Sequence, residues 1–221
     1  MGKKIVMIHT SFVSKDALAA LVSEILPDVE LSHIVDDSLL AEVKDNEGVT
    51  PGVQARMNAY VMQAASIKPD LIFNQCSSVG EAFDNAVKQI GGIKTLKVDQ
   101  PMAQKCAELC PDGGKIAVVA TVASTVAPSV RLVETEVAKT GKNIEVKSYL
   151  VRGALEILMA PDGQKKHNDL VMAEIEKAAA ECDVIDLCQG SMTVLEPLLG
   201  GIDKPVLTSP RLAVLRVKEM L

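Results

Sequence analysis

The sequence predicts an α/β protein of two pseudo-symmetric halves, each a short parallel sheet flanked by helices. Apolar runs typical of buried strands alternate with segments of helical spacing. Short segments also recur at a nearly constant distance along the chain. The recurring pairs are 5–10 with 116–121, 70–78 with 183–191, and 98–101 with 207–210. Equivalent loops should therefore lie at equivalent places in the two halves, and we expect the active site in the cleft between them.

The first half is predicted to contain four strands, at 4–9, 30–35, 70–75 and 95–98. Helices should separate them over about 15–26, 51–67 and 79–89. Ser14 is predicted to cap the first helix. Thr50 should cap the second, because Pro51 follows it at the first helical position.

The second half is predicted to repeat this order, with strands at 115–120, 144–149, 183–188 and 205–208. Its helices should cover about 127–139, 165–181 and 192–199, the first of them closed by Gly141. A last helix should span 211–221 and pack on the first half. We therefore expect one domain from 1–100 plus 210–221, and a second from 101–209.

Composition excludes several classes of function. The chain has 221 residues, a net charge of −6 and only 2% aromatic residues, so nucleic-acid binding is not expected. No apolar run approaches the length of a membrane span or a signal peptide, which favours a cytoplasmic protein. The five cysteines form no C-x-x-C pair, so thiols are expected and no metal site is predicted.

Cys76 is the strongest candidate for chemistry. It ends a predicted strand and precedes Ser78-Val79-Gly80-Glu81, a capping-box pattern that would begin a helix there. Helix-start amides near the sulfur would lower the pKa of the thiol and could also bind a carboxylate. The polar neighbours of Cys76 argue against a purely structural cysteine.

Hydroxyl groups mark the ends of the first strand of each half. Thr10 and Thr121 hold equivalent positions, and Ser11, Ser124 and Thr125 follow in the loops. Hydroxyls and helix-start amides form a neutral cradle for an anion, although ordinary helix capping would explain the same residues.

Other motifs give little support. Neither first strand is followed by G-x-G-x-x-G, and the sequence has no P-loop. A Cys–His hydrolase built from Cys76 and His9 is a minor alternative, which requires the two strand ends to be neighbours.

The motif Asn74-Gln75-Cys76-Ser77-Ser78 and the segment 189–192 resemble the aspartate/glutamate/hydantoin racemase superfamily. The Ala120-Thr121-x-x-Ser124 loop adds to the resemblance, and segments 99–102 and 209–211 support it more weakly. The resemblance implies two pseudo-symmetric domains, a homodimer and no cofactor. It also implies two thiols on opposite faces of a substrate Cα.

One departure concerns the second thiol. The repeat places Gln189 opposite Cys76, whereas Cys188 aligns with Gln75. Neighbouring residues of an extended strand point to opposite sides. Either the loop bends to bring Cys188 to the substrate, or the site has one thiol and resembles the arylmalonate decarboxylase branch.

These observations predict a cofactor-independent racemase or epimerase of a small carboxylate, such as aspartate or glutamate. Cys76 and Cys188 are the candidate acid–base residues. The candidate substrate-binding residues are Thr10, Ser11, Ser77, Ser78, Thr121, Ser124, Thr125, Gln189, Gly190 and Ser191. The alternatives are a single-cysteine decarboxylase of malonate-like acids, a maleate-type cis–trans isomerase, and a non-catalytic carboxylate-binding protein.

Overall fold

The computed structural model describes residues 2–221 and confirms the predicted α/β class. The chain divides into two compact units. Unit 1 is Met1–Pro101 with Pro210–Leu221, and unit 2 is Met102–Ser209. Each unit contains one four-stranded sheet in which every strand pair is parallel.

Unit 1 has the strand order β2-β1-β3-β4. Its elements are β1 (Lys4–His9), α1 (Val13–Ile25), β2 (Glu30–Val35), α2 (Ser38–Asp45), α3 (Pro51–Ser66), β3 (Leu71–Asn74), α4 (Gly80–Val87) and β4 (Lys94–Lys97). Helix α5 (Gln100–Leu109) begins at the boundary between unit 1 and unit 2. The last helix of the chain, Ser209–Met220, returns to unit 1. One face of the sheet packs on α2, α3 and α4, and the other packs on α1 and the last helix.

Unit 2 has the equivalent strand order, β6-β5-β7-β8. Its elements are β5 (Lys115–Ala120), α6 (Ala123–Thr140), β6 (Glu145–Leu150), α7 (Ala154–Met159), α8 (Gly163–Glu181), β7 (Val184–Leu187) and β8 (Val206–Thr208). A 3₁₀ segment, Gly190–Gly201, links β7 to β8, and α9 (Ser209–Met220) ends the chain. One face of this sheet packs on α8 and the 3₁₀ segment.

Local signals in the sequence fix some element ends and not others. Thr50 caps α3 as predicted, accepting a hydrogen bond of 3.1 Å from the Val53 amide. Gly141 ends α6 in the left-handed conformation, also as predicted. The predicted Ser14 cap is wrong, because α1 begins at Val13 after Phe12, which makes no side-chain capping bond.

The strand order determines where a ligand can bind. In unit 1, β2 is added on one side of β1, and β3 and β4 are added on its other side. In unit 2, β6 lies on one side of β5, and β7 and β8 lie on the other. The direction of the connections therefore changes between β1 and β3, and between β5 and β7. Ligands of such open sheets bind beyond the carboxyl ends of the strands at this switch point. Within residues 2–221, no helix is long and apolar enough to cross a membrane.

Candidate functional site

Cys76 lies at the carboxyl end of β3, on the switch point of unit 1. Its backbone is extended (φ −124°, ψ 120°), and a 3₁₀ turn, Ser77–Val79, follows it before α4 begins. Its side chain is half-buried, whereas the other four cysteines are buried. Cys76 is therefore the only one of the five cysteines that is not fully buried.

Four donors surround the Cys76 sulfur. They are the hydroxyls of Thr10 and Ser78 and the amides of Ser78 and Val79, each of which lowers the pKa of the thiol. Burial raises it by more, so the pKa of Cys76 stands above its ordinary value. The predicted donors are present, but the predicted net lowering of this pKa is wrong, because desolvation outweighs hydrogen bonding here.

The predicted capping box is also wrong. The α-helix begins only at Gly80, and its cap residue, Val79, makes no side-chain capping hydrogen bond. Ser78 lies within the 3₁₀ turn, where its hydroxyl and its amide both act on Cys76. The 3₁₀ turn thus directs the Ser78 hydroxyl and amide at the Cys76 sulfur, whereas in a capping box they would bond the residue at position 81.

Two buried polar residues hold the Cys76 turn in place, and both were missed as functional candidates. Asn74 donates from Nδ2 to the Cys76 carbonyl at 2.8 Å. Asp99, beyond the end of β4, is bonded by the Ser77 side chain, and burial raises the pKa of its carboxyl group. The signal for Asn74 was a polar residue inside an apolar strand.

Thr10 reaches Cys76 because the two residues share one face of the sheet. Ile8 and Ile72 pack on the α3 side together with Cys76, and strand alternation places Thr10 on that side as well. Ser11 follows in the loop before α1 and is half-buried. The predicted grouping of Thr10 with Cys76, Ser77 and Ser78 therefore occurs within unit 1.

His9 lies on the opposite face and does not form a Cys–His pair with Cys76. Its Nε2 is 3.0 Å from Nδ1 of His33, and the ring is fully buried. Burial, followed by the positive charges of His33 and Lys15, lowers the pKa of His9 to about 4. The Cys76–His9 hydrolase alternative is therefore wrong.

In unit 2, Gln189 occupies the place that Cys76 occupies in unit 1. Its backbone is extended (φ −126°, ψ 134°) and it directly precedes the 3₁₀ segment. Its Oε1 accepts hydrogen bonds from the Thr121 amide and, at 3.1 Å, from the Thr121 hydroxyl. Thr121 thus holds Gln189 as Thr10 holds Cys76.

Cys188 does not join this group. Its amide donates to the Val119 carbonyl at 3.2 Å, which extends the strand pairing by one residue. Leu187 packs on the α8 face, so alternation turns Cys188 to the other face, where it is 1% exposed. The loop in unit 2 does not bend to expose this thiol.

The remaining predicted residues of unit 2 differ in exposure. Thr125 is buried in the first turn of α6, while Gly190 and Ser191 are exposed at the start of the 3₁₀ segment. The Ser124 hydroxyl oxygen is buried and has no hydrogen-bond partner among the described residues.

The site can supply a thiol and neutral hydrogen-bond donors. Residues 2–221 contain no cluster of three metal-ligating side chains. Neutral hydroxyls and amides suit a small carboxylate, since they can bind the anion without a cationic side chain.

Solved structures share this architecture over almost the whole chain. Glutamate racemase RacE1 from Bacillus anthracis matches with a TM-score of 0.73 and 16% identity, over 99% of this chain and 81% of that one. Aspartate racemase from Picrophilus torridus matches with a TM-score of 0.69 and 14% identity, over 99% and 94%. The chain shares the fold of these two racemases.

A third structure with this fold is a glycine-to-cysteine mutant of arylmalonate decarboxylase. It matches with a TM-score of 0.59 and 14% identity, over 98% of this chain and 92% of that one. No protein-family model matches the sequence, and no curated protein matches it either. The fold is thus shared by racemases and by a decarboxylase.

Proposed function

We propose that the protein is a cofactor-independent isomerase that removes and returns a proton at the carbon next to a carboxylate, with Cys76 as the acid–base residue. One observation carries the proposal. Cys76, the only cysteine that is not fully buried, lies at the switch point of its sheet, with the Thr10 and Ser78 hydroxyls and two backbone amides directed at its sulfur.

The substrate we propose is a small carboxylate. Thr10, Ser11, Ser77 and Ser78 would contribute hydroxyl groups in unit 1, and Asp99 would hold the Ser77 side chain in position. For unit 2, carboxylate binding is proposed through side-chain hydroxyls, the carboxamide of Gln189 and the backbone amide of Gly190; the hydroxyl residues are Thr121, Ser124, Thr125 and Ser191. Glutamate and aspartate racemases share the fold, so these two amino acids are the first substrates to test.

The chemical step needs only the thiolate form of Cys76. The thiolate takes the Cα proton, forming S–H and breaking C–H, and the electron pair moves onto the carboxylate as an enediolate. Hydroxyl and amide donors stabilise that negative charge. The same proton, or one exchanged with solvent, then returns to carbon.

Racemisation would require a second acid on the far side of Cα. The sequence nominates Cys188, but the structure buries it on the opposite sheet face from Gln189. The proposal therefore names Cys76 as the first acid–base residue and does not assign the second acid to Cys188. The two-thiol form remains a prediction that a Cys188→Ala variant tests.

Exchange of the Cα hydrogen in deuterium oxide tests the proposal. We expect nuclear magnetic resonance to show exchange on aspartate or glutamate for the wild type, and a loss of about 10³-fold or more in Cys76→Ala. Cys188→Ala is the matched control and should keep the wild-type rate. Because the pKa of Cys76 is raised, the rate should increase with pH through and beyond the ordinary thiol range.

Exchange that persists in Cys76→Ala would refute the proposal. Loss of exchange in Cys188→Ala, with the fold intact by circular dichroism, would instead restore the two-thiol form. A rate that is independent of pH above neutrality would show that the Cys76 thiolate is not the base.

A second candidate is decarboxylation of a malonate-like acid, and the raised pKa of Cys76 favours it. A thiol that stays protonated at neutral pH is a ready proton donor. Carbon dioxide would leave with cleavage of the C–C bond, and the resulting enediolate would take the Cys76 proton, which water then replaces. Carbon dioxide release from a 2-aryl-2-methylmalonate, absent in Cys76→Ala, would identify this reaction.

A further inference from the structure

Helix α2 lies against the Cys76 turn within unit 1. It packs on the 3₁₀ turn Ser77–Val79, which follows Cys76 directly. Leu39 and Val43 of α2 are fully buried in the same apolar cluster as Val79. Cys76 packs against that cluster. Helix α2 therefore belongs to the packing that buries the Cys76 thiol and raises its pKa.

Few apolar contacts hold α2 in this place. Of its eight residues, only Leu39 and Val43 are buried. A helix of two turns gains little stability from its own backbone, so its position depends on contacts with the rest of the unit. Most of the remaining contacts of α2 described below are polar, and they run to α3.

The polar contacts centre on the Glu42 carboxylate. Its Oε1 accepts a hydrogen bond from the Thr50 hydroxyl, and its Oε2 pairs with the Arg56 guanidinium. Gly52 leaves room for it, because a Cβ atom there would lie 3.0 Å from Oε1. Thr50 is the cap residue of α3, so the carboxylate lies at the N-terminus of that helix, where negative charge is stabilised. We call this set of contacts the Glu42 latch.

Arg56 also holds the start of α2. Its Nη1 donates to the Ser38 hydroxyl, on the first residue of the helix, and to Asp36 Oδ2 at 3.3 Å. The Asp36 amide donates to the His9 carbonyl at 3.0 Å, which extends the pairing of β2 with β1. Arg56 thus joins α2 to the carboxyl edge of the sheet as well as to α3.

We infer that α2 is a cover over the Cys76 thiol, and that ligands reach the sulfur when the Glu42 latch opens. In its bearing on catalysis this inference rests on the proposed function, whereas access to the thiol can be measured without turnover. The Arg56 and Glu42 side chains are 30% and 34% exposed, so water can replace their contacts when α2 moves. Opening would also hydrate the thiol and bring its pKa closer to the ordinary value.

Alkylation of Cys76 by iodoacetamide, followed by peptide mass spectrometry, tests the inference. In Glu42→Ala we expect the rate constant at fixed pH to rise about tenfold, because the charge-assisted bonds of the latch are lost. Glu42→Gln keeps an oxygen for Thr50 and should give a smaller rise. Sodium chloride should accelerate labelling of the wild type more than that of Glu42→Ala, since the variant lacks one ion pair to screen.

Asp70→Asn is the matched control. It removes a carboxylate that pairs with Lys3 at 2.8 Å and accepts the Lys4 amide at 2.9 Å. Asp70 precedes β3, at the opposite end of that strand from Cys76. We expect this variant to be labelled at the wild-type rate. Unchanged labelling in Glu42→Ala, or an equal increase in Asp70→Asn, would overturn the inference.

Hydrogen–deuterium exchange with mass spectrometry distinguishes opening of α2 from unfolding of the unit. In Glu42→Ala the α2 amides should exchange faster than in the wild type, while those of β1 and β3 keep their protection. Loss of protection throughout unit 1 would also count against the inference, because the thiol would then become accessible by unfolding.

Exchange of the Cα hydrogen separates this inference from the proposed function. If labelling responds as expected but no protein exchanges the Cα hydrogen of aspartate or glutamate, the proposed function fails for these substrates and the cover stands. If the wild type exchanges this hydrogen and labelling does not respond to Glu42→Ala, the cover alone is refuted.

Discussion

At the scale of single residues, burial and hydrogen bonding act on Cys76 in opposite directions. Four donors stabilise the thiolate, yet desolvation keeps the pKa of the thiol above its ordinary value. Only the thiolate can act as a base, whereas the thiol can act as an acid. The same residue is therefore better prepared at neutral pH to give a proton than to take one.

The His9–His33 pair should make folding stability depend on pH. The pKa of His9 falls from 6.5 to about 4 on folding. Between pH 6.5 and 4, His9 is therefore protonated in the unfolded chain and neutral in the folded protein. The contribution of His9 to the free energy of unfolding is complete above pH 6.5 and is lost as the pH falls toward 4. Between pH 7 and 5, we expect the free energy of unfolding to decrease by about 2 kcal/mol through this group.

Urea unfolding of the wild type and of His9→Gln at several pH values measures this effect. The lowered pKa values of Asp36, Asp70 and Glu181 act at and below the ordinary carboxyl range. The raised pKa of Asp99 acts above that range in both proteins, so the difference between the two proteins from pH 7 to 5 reports on His9. The variant should show less than half of the wild-type dependence. Parallel curves for the two proteins would contradict the assignment.

At the scale of elements, a close backbone contact sets the turn between α7 and α8. A Cβ atom on Gly163 would lie 1.7 Å from the Ile157 carbonyl oxygen and 2.8 Å from its carbon. Both are backbone atoms, so they cannot move aside as a flexible side chain would. Only glycine lets α7 pack this closely against the start of α8.

Gly163→Ala is therefore expected to lower the free energy of unfolding by about 3 kcal/mol, measured by urea denaturation. Gly200→Ala is the control in the same unit, because a Cβ there would meet nothing within 4 Å. The control should stay within about 0.5 kcal/mol of the wild type. Equal effects of the two substitutions would show that the α7–α8 turn tolerates a side chain.

The sequence predicts the elements best where hydrophobic pattern and local signals agree. The strands at 4–9 and 115–120 match the structure in full, because their apolar runs are continuous, and the strand at 30–35 matches as well. The short helices α2 and α7 were missed, since eight and six residues give too few turns for a helical period. The helix predicted at 192–199 is part of a 3₁₀ segment, Gly190–Gly201, that includes Pro197 and three glycines.

For the site, the repeat predicts the grouping of Thr10 with Cys76 and the alignment of Gln189 with Cys76. The pKa of Cys76 could not be predicted in the same way, because it depends on how closely residues distant in sequence bury the sulfur. The hydrogen bond between Ser77 and Asp99 joins the segment after β3 to the segment after β4. No local sequence pattern predicts this bond, because the two residues are distant in sequence.

At the scale of the whole molecule, the two units differ in how the chain completes them. Unit 2 is continuous, from Met102 to Ser209, whereas unit 1 needs residues 210–221 from the end of the chain. In α9, Ala213, Val214 and Val217 are fully buried against the face of the sheet that carries Met7 and Phe73. Unit 1 therefore cannot close its core until the last helix is present.

In a chain truncated after Ser209, the backbone amides of β1 and β3 should lose their protection from hydrogen exchange, whereas those of unit 2 should keep it. Without α9, one face of the β1/β3 pair is exposed to water, and the lost burial of Ala213, Val214 and Val217 is comparable to the whole stability of a typical domain. We expect hydrogen–deuterium exchange with mass spectrometry to show fast exchange of the β1 and β3 amides, with β5 and β7 still protected. A peptide of residues 210–221 added in excess should restore the protection of the β1 and β3 amides. Equal protection of β1, β3, β5 and β7 in the truncated chain alone would show that α9 is dispensable for the core of unit 1.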